Sequence, residues 1–183
     1  MKKKIIIWAL AFTSTIAAAQ TNYISKEGFI SFYSHTPVED ITADNNEVGS
    51  IINTETGEIV FTLKMTDFEF EKKLMQRHFN ENYVESDKFP TSTFKGVITN
   101  NERVDYSVPG NYSVNVKGDL TIHGVTKMIQ TPGKVEVNAN RINASAEFIV
   151  KPADFDIKIP GVVRNKIAQE IEVTVDIDYE IMQ

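Results

Sequence analysis

The sequence contains no cysteine, and this absence limits both how the chain is stabilised and what chemistry it performs. Without thiols there are no disulfides, no thiolate nucleophile and no cysteine ligands for zinc, so the fold depends on packing. Histidine is scarce too, with three residues at His35, His78 and His123. These are far apart in sequence and lack the spacing of a metal site. The sequence therefore predicts no metal site and no cofactor.

Positive charge is also in deficit. The chain has 19 Lys and Arg against 25 Asp and Glu, which gives a net charge of −6. A nucleic-acid-binding protein usually carries a basic excess or a basic stripe, and the sequence beyond its N-terminus shows neither. The composition therefore argues against a nucleic-acid partner.

Catalytic motifs are missing from the sequence as well. It has no G-x-S-x-G nucleophile elbow and no phosphate-binding loop. Most acidic residues occupy alternate positions in strand-like runs, where a solvated face explains them better than a catalytic carboxylate pair. We therefore predict that the protein is not an enzyme. An enzyme would require His78 and His123 to converge with an acid in one pocket.

The one long apolar run lies at the N-terminus and has the layout of a signal peptide. Lys2, Lys3 and Lys4 precede the apolar residues 5–16, and Ala17-Ala18-Ala19 has the form of a cleavage site. The run is shorter than the roughly 20 residues of a membrane span. We expect a signal peptide at residues 1–19 and one domain at residues 20–183. That domain keeps 16 basic and 25 acidic residues, a net charge of −9. We therefore expect an exported protein, periplasmic or secreted, with no stable membrane span.

Apolar and polar side chains alternate along most of residues 20–183, which is typical of half-buried strands. The clearest run is 171–181, and others are 58–65, 112–122, 141–150, 29–34, 48–53, 93–99 and 127–139. Turn signals such as Thr56-Gly57 and Pro132-Gly133 are expected to separate strands, and short connections favour antiparallel pairing. Gly118 lies on an apolar face, where a bulge or bend is expected. The count predicts an all-β fold: a single closed antiparallel β-barrel of about eight strands.

Helical spacing replaces the alternation in one segment. Leu74 and His78 are four residues apart, as are Met75, Phe79 and Tyr83. This predicts a short amphipathic helix near residues 71–83. A shorter helical turn is expected within 160–168. A barrel of this size either fills with side chains or holds one small ligand, and the periodicity does not choose between them.

Two stretches resemble the YceI-like family of exported polyisoprenoid-binding or lipid-binding proteins. Gly118-Asp119-Leu120-Thr121-Ile122-His123-Gly124-Val125-Thr126 is nearly a literal copy of that family's G-x-L-T-I-H-G-V-T hairpin. His78-Phe79 followed by Lys88-Phe89-Pro90 is similar to a second family segment. The similarity extends over most of residues 20–183. It implies a lipocalin-like barrel with an apolar tunnel for an isoprenoid chain, such as a quinone tail or a polyprenyl phosphate.

On this interpretation the partner is an isoprenoid or other long-chain lipid, and a homodimer is left open. The residues expected to line the interior are Phe32, Phe61, Leu63, Leu74, Met75, Phe79, Phe94, Val116, Leu120 and Phe148. The polar residues expected at a mouth are His78 and His123, although the position of His123 before Gly124 favours a structural role in a turn. The alternative hypothesis is a ligand-free structural or stress-related periplasmic barrel, because small barrels can be packed solid.

Overall fold

The chain folds into a closed antiparallel barrel in the computed structural model, which describes residues 22–139 and 141–182. The signal peptide predicted at residues 1–19 lies outside this part of the chain, and it stays a prediction. Nine strands are present in the described part: β1 (Asn22–His35), β2 (Asp40–Asn53), β3 (Glu58–Lys64), β4 (Glu69–Phe70), β5 (Thr91–Ile98), β6 (Gly110–Ile122), β7 (Val125–Val137), β8 (Arg141–Val150) and β9 (Ile171–Ile181). The predicted fold class is confirmed, since eight of these form the barrel and β4 is a short addition paired with β2.

Strand β1 closes the barrel because it pairs with β2 along one edge and with β9 along the other. The remaining neighbours follow the order β9, β8, β7, β6, β5, β3 and β2. In β9 the predicted alternation is clear: Val175, Ile177 and Tyr179 are buried, and Asp176 and Asp178 between them are exposed. Side chains that alternate across a strand thus point alternately into the barrel and into solvent.

The segment predicted as a helix at 71–83 is helical, with two differences. Helix α1 spans Lys73–His78, so it begins two residues later than predicted. The chain then continues as one wider π-helical turn, Phe79–Tyr83. In that turn the Val84 N–H donates to the Phe79 carbonyl at 2.9 Å. The helix lies across one end of the barrel, where its apolar side packs on the cluster that contains Phe68 and Phe70. The turn expected within 160–168 is a 3₁₀-helix at Gly161–Val163.

Pro132-Gly133 does not form the turn that its composition indicates, because it lies inside β7. Pairing of β7 with β8 begins at Gly133 and ends at Val137, so the first half of β7 has no ladder to β8. Proline has no N–H to donate, and it is tolerated where a ladder ends. Phe155, in the 3₁₀-helix Pro152–Phe155, packs beside the separated strands and is buried among Leu120, Phe148 and their neighbours.

Gly118 marks a close approach of strands rather than the expected bulge, since β6 pairs with β5 and β7 without a register shift there. Gly118 lies directly opposite Gly96 of β5. A Cβ on Gly118 would collide with the Gly96 Cα and the Lys95 carbonyl, and would lie 2.7 Å from Cζ of Phe94. The pair therefore makes room for the Phe94 ring inside the barrel. The bulges are in β1, around Gly28.

Gly118→Ala is expected to lower the free energy of unfolding by about 3 kcal/mol, because its methyl group would overlap backbone atoms that cannot rotate away. Urea denaturation monitored by circular dichroism measures the change. The matched control is Gly161→Ala, where a Cβ would have no atom within 4 Å. That variant should change stability by no more than about 0.5 kcal/mol. Equal stability of the two variants would contradict the steric role of Gly118.

Candidate functional site

A cavity of about 520 Å³ occupies the end of the barrel that is covered by α1 and the segment 151–170. Its wall combines inward side chains of the barrel strands with side chains from α1 and the other segments that cover this end. The apolar residues that line it are Ile30, Phe32, Ile41, Leu63, Met65, Phe68, Phe70, Leu74, Met75, Phe79, Tyr83, Val84, Leu120, Ile122, Phe148, Val150, Pro152, Ile157, Ile159, Val163, Ile167, Ile171 and Val173. The volume falls in the range of ordinary small-molecule pockets.

Polar groups in this lining are few, and the deeper ones are already hydrogen-bonded. The Ser34 hydroxyl accepts from the Ala168 N–H at 2.9 Å, and the Ser92 hydroxyl donates to the Thr121 carbonyl at 2.7 Å. A hydroxyl with a protein partner is less available to a ligand. The interior therefore favours an apolar molecule.

Four phenylalanine rings form the wall beneath the helix. The Phe79 centroid lies 5.5 Å from that of Phe32, 5.7 Å from that of Phe68 and 5.1 Å from that of Phe70. These tilted and edge-on arrangements are the ones aromatic pairs prefer. They join the π-helical turn that follows α1 to β1 and to the segment 68–70, so this helical segment is held against the cavity by ring contacts.

A second, smaller cavity of about 90 Å³ continues the first one deeper into the barrel. The two cavities share Ile30, Leu63, Ser92, Leu120 and Phe148. Phe61 and Phe94 lie at the boundary, with ring centroids 5.8 Å apart. Both rings line only the smaller cavity, at the level of the strands just below Leu63 and Ser92.

Beyond the smaller cavity the barrel is filled with side chains. Val48, Ile52, Ile142, Ile177 and Tyr179 line neither cavity and are at most 1% exposed. The Tyr179 hydroxyl is 2.6 Å from that of Ser50. Burial raises the pKa of Tyr106, which packs against this core, to about 12. The interior is therefore wide near α1 and tightly packed at the far end.

The ten apolar residues expected inside the barrel all line one of the two cavities, and their contact with a ligand stays a prediction. The larger cavity has Phe32, Leu63, Leu74, Met75, Phe79, Leu120 and Phe148. The smaller cavity has Phe61, Phe94 and Val116 and shares Leu63, Leu120 and Phe148. Alternation along the strands and the four-residue spacing in the helix assign these side chains to inner faces, and the family resemblance indicated a cavity there.

The two histidines expected at a mouth are placed differently. His78 lines the larger cavity and is exposed, as a residue at a mouth would be. His123 lines neither cavity. Its Nδ1 is 3.1 Å from the Phe155 carbonyl, and its Nε2 is 3.1 Å from Oε2 of Glu85. Both ring nitrogens thus lie within hydrogen-bonding distance of an oxygen. His123 joins three segments beside the barrel, and the Phe89 ring lies 4.4 Å from it.

Charged side chains surround the opening of the larger cavity, and sequence reasoning did not find them. Oε1 of Glu39 lies 3.4 Å from Nζ of Lys72, and its Oε2 lies 3.9 Å from Nζ of Lys166. All three residues line the cavity. They come from the β1–β2 loop, the start of α1 and the segment before β9. No local pattern links them, because only the fold brings the three segments together.

The fold and cavity define a class, the lipocalin-like barrels whose interior is suited to an apolar ligand. Residues 22–179 match the model of the YceI-like domain, and the chain belongs to the YceI-like family, a family of binding domains. No curated protein matches the sequence.

Three solved structures share the fold. A polyisoprenoid binding domain from Saccharophagus degradans is 18% identical with a TM-score of 0.77, over 89% of this chain and 99% of that one. BcnA of Burkholderia cenocepacia is 16% identical with a TM-score of 0.70, over 82% and 95%. The YCEI protein of Campylobacter jejuni is 14% identical with a TM-score of 0.62, over 98% and 99%. At sequence identities of 14–18%, the similarity to these three structures shows a shared fold and nothing further.

Residues 22–139 and 141–182 contain neither a candidate membrane-spanning helix nor a candidate metal cluster. No helix there has both the length and the apolar character to cross a membrane. In the same residues, no three His, Asp or Glu side chains lie close enough together to hold a metal ion.

The Glu85 carboxyl, which contacts His123 and Lys88, is expected to make the stability of the fold depend on pH. The hydrogen bond from Lys88, and then that from His123, lowers the pKa of the Glu85 carboxyl below its ordinary value of 4.5. A carboxyl whose folded-state pKa is lowered stabilises the fold above the ordinary value and loses that contribution as the pH falls through the folded value.

Glu85→Gln should therefore be less stable than the wild type at neutral pH. The difference in their free energies of unfolding should shrink below about pH 4.5, where the wild-type carboxylate also loses its charge. Urea denaturation over a pH series measures this difference. Glu102→Gln is the control, because Glu102 is exposed and its Arg103 contact of 3.8 Å is a surface pair. A difference that grows on acidification would contradict the assignment.

Proposed function

We propose that this protein is an exported lipid-binding protein that carries or sequesters an isoprenoid-type chain inside its barrel. The observation that carries the proposal is the apolar cavity of about 520 Å³. The family and the shared fold of the Saccharophagus degradans domain, which is described as polyisoprenoid-binding, support it. The N-terminal sequence supports export to the periplasm or the outside. A quinone tail and the chain of a polyprenyl phosphate both have the required chemistry.

Hydrophobic transfer provides the affinity in this proposal. Burying one CH₂-sized group gains about 0.8 kcal/mol. At roughly 30 Å³ for a water-sized group, a cavity of about 520 Å³ accommodates about seventeen carbons. The gross gain, on the order of 14 kcal/mol, exceeds an ordering and association cost of several kcal/mol. Binding thus needs no strong polar contact in the interior.

The volume also limits how much of a chain is enclosed. About seventeen carbons correspond to three or four isoprene units. The Phe61–Phe94 pair and the packed core beyond it stop a chain from going deeper. A longer isoprenoid would therefore keep its remaining units and its head group outside the mouth near His78. The ligand-free alternative accounts for the packed far half of the barrel, but it gives no role to the large cavity beside it.

Met75→Glu should weaken the binding of farnesol or geranylgeraniol by at least about tenfold, because it puts a carboxylate into the apolar wall. Displacement of a fluorescent apolar probe from delipidated protein measures the affinity. Ile149→Glu is the matched control, since Ile149 is half exposed on the outer face of β8. The proposal fails if organic extraction of protein from its native host yields no lipid and the wild type binds none of these alcohols.

Phe94→Leu should extend the range of chains that bind tightly, because the smaller side chain joins the two cavities. We expect the preferred prenyl alcohol to lengthen by about one isoprene unit, because the smaller cavity holds about three carbons and the smaller side chain frees space for about two more. Titration with a C10 to C30 alcohol series measures this shift. Phe155→Leu is the control, because Phe155 is buried in the same apolar cluster and lines neither cavity. An unchanged length preference in Phe94→Leu would show that this ring does not set the depth.

A further inference from the structure

Three exposed apolar side chains surround the mouth of the larger cavity. Val38 in the β1–β2 loop is 56% exposed, Leu74 on α1 is 53% exposed, and Val162 in the 3₁₀-helix before β9 is 87% exposed. Leu74 lines the cavity itself, and Val38 and Val162 are next in sequence to the lining residues Glu39 and Val163. The two contacts of Glu39, with Lys72 and with Lys166, hold these segments at one opening.

Basic residues flank this opening on two sides. The helical segment 71–83 contains Lys72, Lys73 and Arg77 against two acids, and the covering segment 151–170 contains Lys151, Lys158, Arg164 and Lys166 against three acids. Each segment therefore has a small basic excess. This local excess contrasts with a net charge of −6 for the whole chain. Glu39 is shared by Lys72 and Lys166. Among the described residues, Arg77, Lys158 and Arg164 form no ion pair, so their charge is available to a partner.

The opposite end of the barrel lacks this combination. Its exposed apolar residues are Val108 in the loop 99–109, which is 49% exposed, and Ile181 and Met182 at the end of the described chain, which are 50% and 41% exposed, so the difference between the two ends lies in their charge. That loop contains Glu102 and Asp105 against one basic residue, Arg103, which lies 3.8 Å from Glu102. The basic and apolar surface is therefore specific to the end at which the cavity opens.

We propose that the mouth rim, defined as Val38, Leu74, Val162, Lys73, Arg77, Lys158 and Arg164, docks on the surface of an anionic lipid bilayer. Cationic side chains are attracted to anionic head groups, and exposed aliphatic side chains enter the boundary between head groups and acyl chains. Docking in this orientation places the cavity mouth against the bilayer, so an apolar chain moves between membrane and barrel without crossing water. This goes beyond the proposed function, because the rim can bind a membrane whether or not the cavity is occupied.

The test is co-sedimentation of the full chain with vesicles. Vesicles of phosphatidylcholine alone are compared with vesicles that also contain phosphatidylglycerol, each at low and at high salt. We expect binding to the anionic vesicles, and a marked loss of it at high salt because ions screen exposed charges. Equal binding to neutral and anionic vesicles, or binding that resists salt, would overturn the proposal. So would a wild type that binds neither kind of vesicle.

Two matched double variants locate the surface. Val162→Asp with Arg164→Glu changes the rim, and it should weaken binding to anionic vesicles by at least about tenfold. Val108→Asp with Arg103→Glu makes the same kind of change at the far end, and it should bind as the wild type does. Undiminished binding of the rim variant overturns the proposal, as does an equal loss in both variants. Lys73→Glu alone, on the other flank of the mouth, should also weaken binding.

Uptake of farnesol from detergent solution separates docking from the cavity. The rim variant should take up farnesol as the wild type does, since Val162 and Arg164 are exposed and line neither cavity. Wild-type vesicle binding without farnesol uptake would contradict the proposed function and leave docking intact. Loss of both properties in the rim variant would overturn docking as a separate role of this surface.

Discussion

Pairing of β1 with both β2 and β9 is the interaction on which the other features of this structure depend. Because β1 is hydrogen-bonded along both edges, the sheet closes, and the inward side chains of eight strands share one enclosed volume. Whether a given region is filled or hollow then follows from the sizes of the side chains that meet at that level. A substitution of an inward residue in one strand therefore alters the packing of the residues that it meets from the other strands.

The two halves of the barrel use this volume differently. At the far end, β-branched and aromatic residues such as Ile52, Ile142 and Tyr179 pack in one cluster and leave almost no space. One level nearer the mouth, Gly96 and Gly118 provide no side chains, and the Phe94 ring lies over them. Nearer still, β7 separates from β8, and α1 spans the end of the barrel. The larger cavity is the space that these arrangements leave.

The mouth combines this apolar interior with a charged exterior. In the proposed function, the interior provides affinity for a chain through burial alone, and in the proposed docking, the rim provides orientation against a membrane. The two roles need different residues, because a cavity wall must exclude charge and a docking surface must present it. Leu74 belongs to both the cavity wall and the mouth rim, since it lines the cavity and is half exposed at the edge of the mouth.

The sequence by itself determined most of the strands, the helix near 71–83 and ten of the cavity-lining residues, although the predicted runs 29–34 and 48–53 cover only part of β1 and β2. Periodicity is a local property, and a period of two or of four residues assigns each side chain to a face before any partner strand is known. It misplaced Pro132-Gly133 as a turn because a proline at the end of a ladder has the same composition as one in a loop. The structural interpretation of His123 was also local, resting on the turn at Gly124.

Tertiary structure alone decided the rest. Whether the barrel is hollow depends on which inward side chains meet at each level, and so on the register of eight strands. The contacts of Glu39 with Lys72 and Lys166, and of His123 with Glu85, join segments far apart in sequence. No local pattern encodes such distances. They exist because barrel closure brings the loops at one end of the strands to a common mouth.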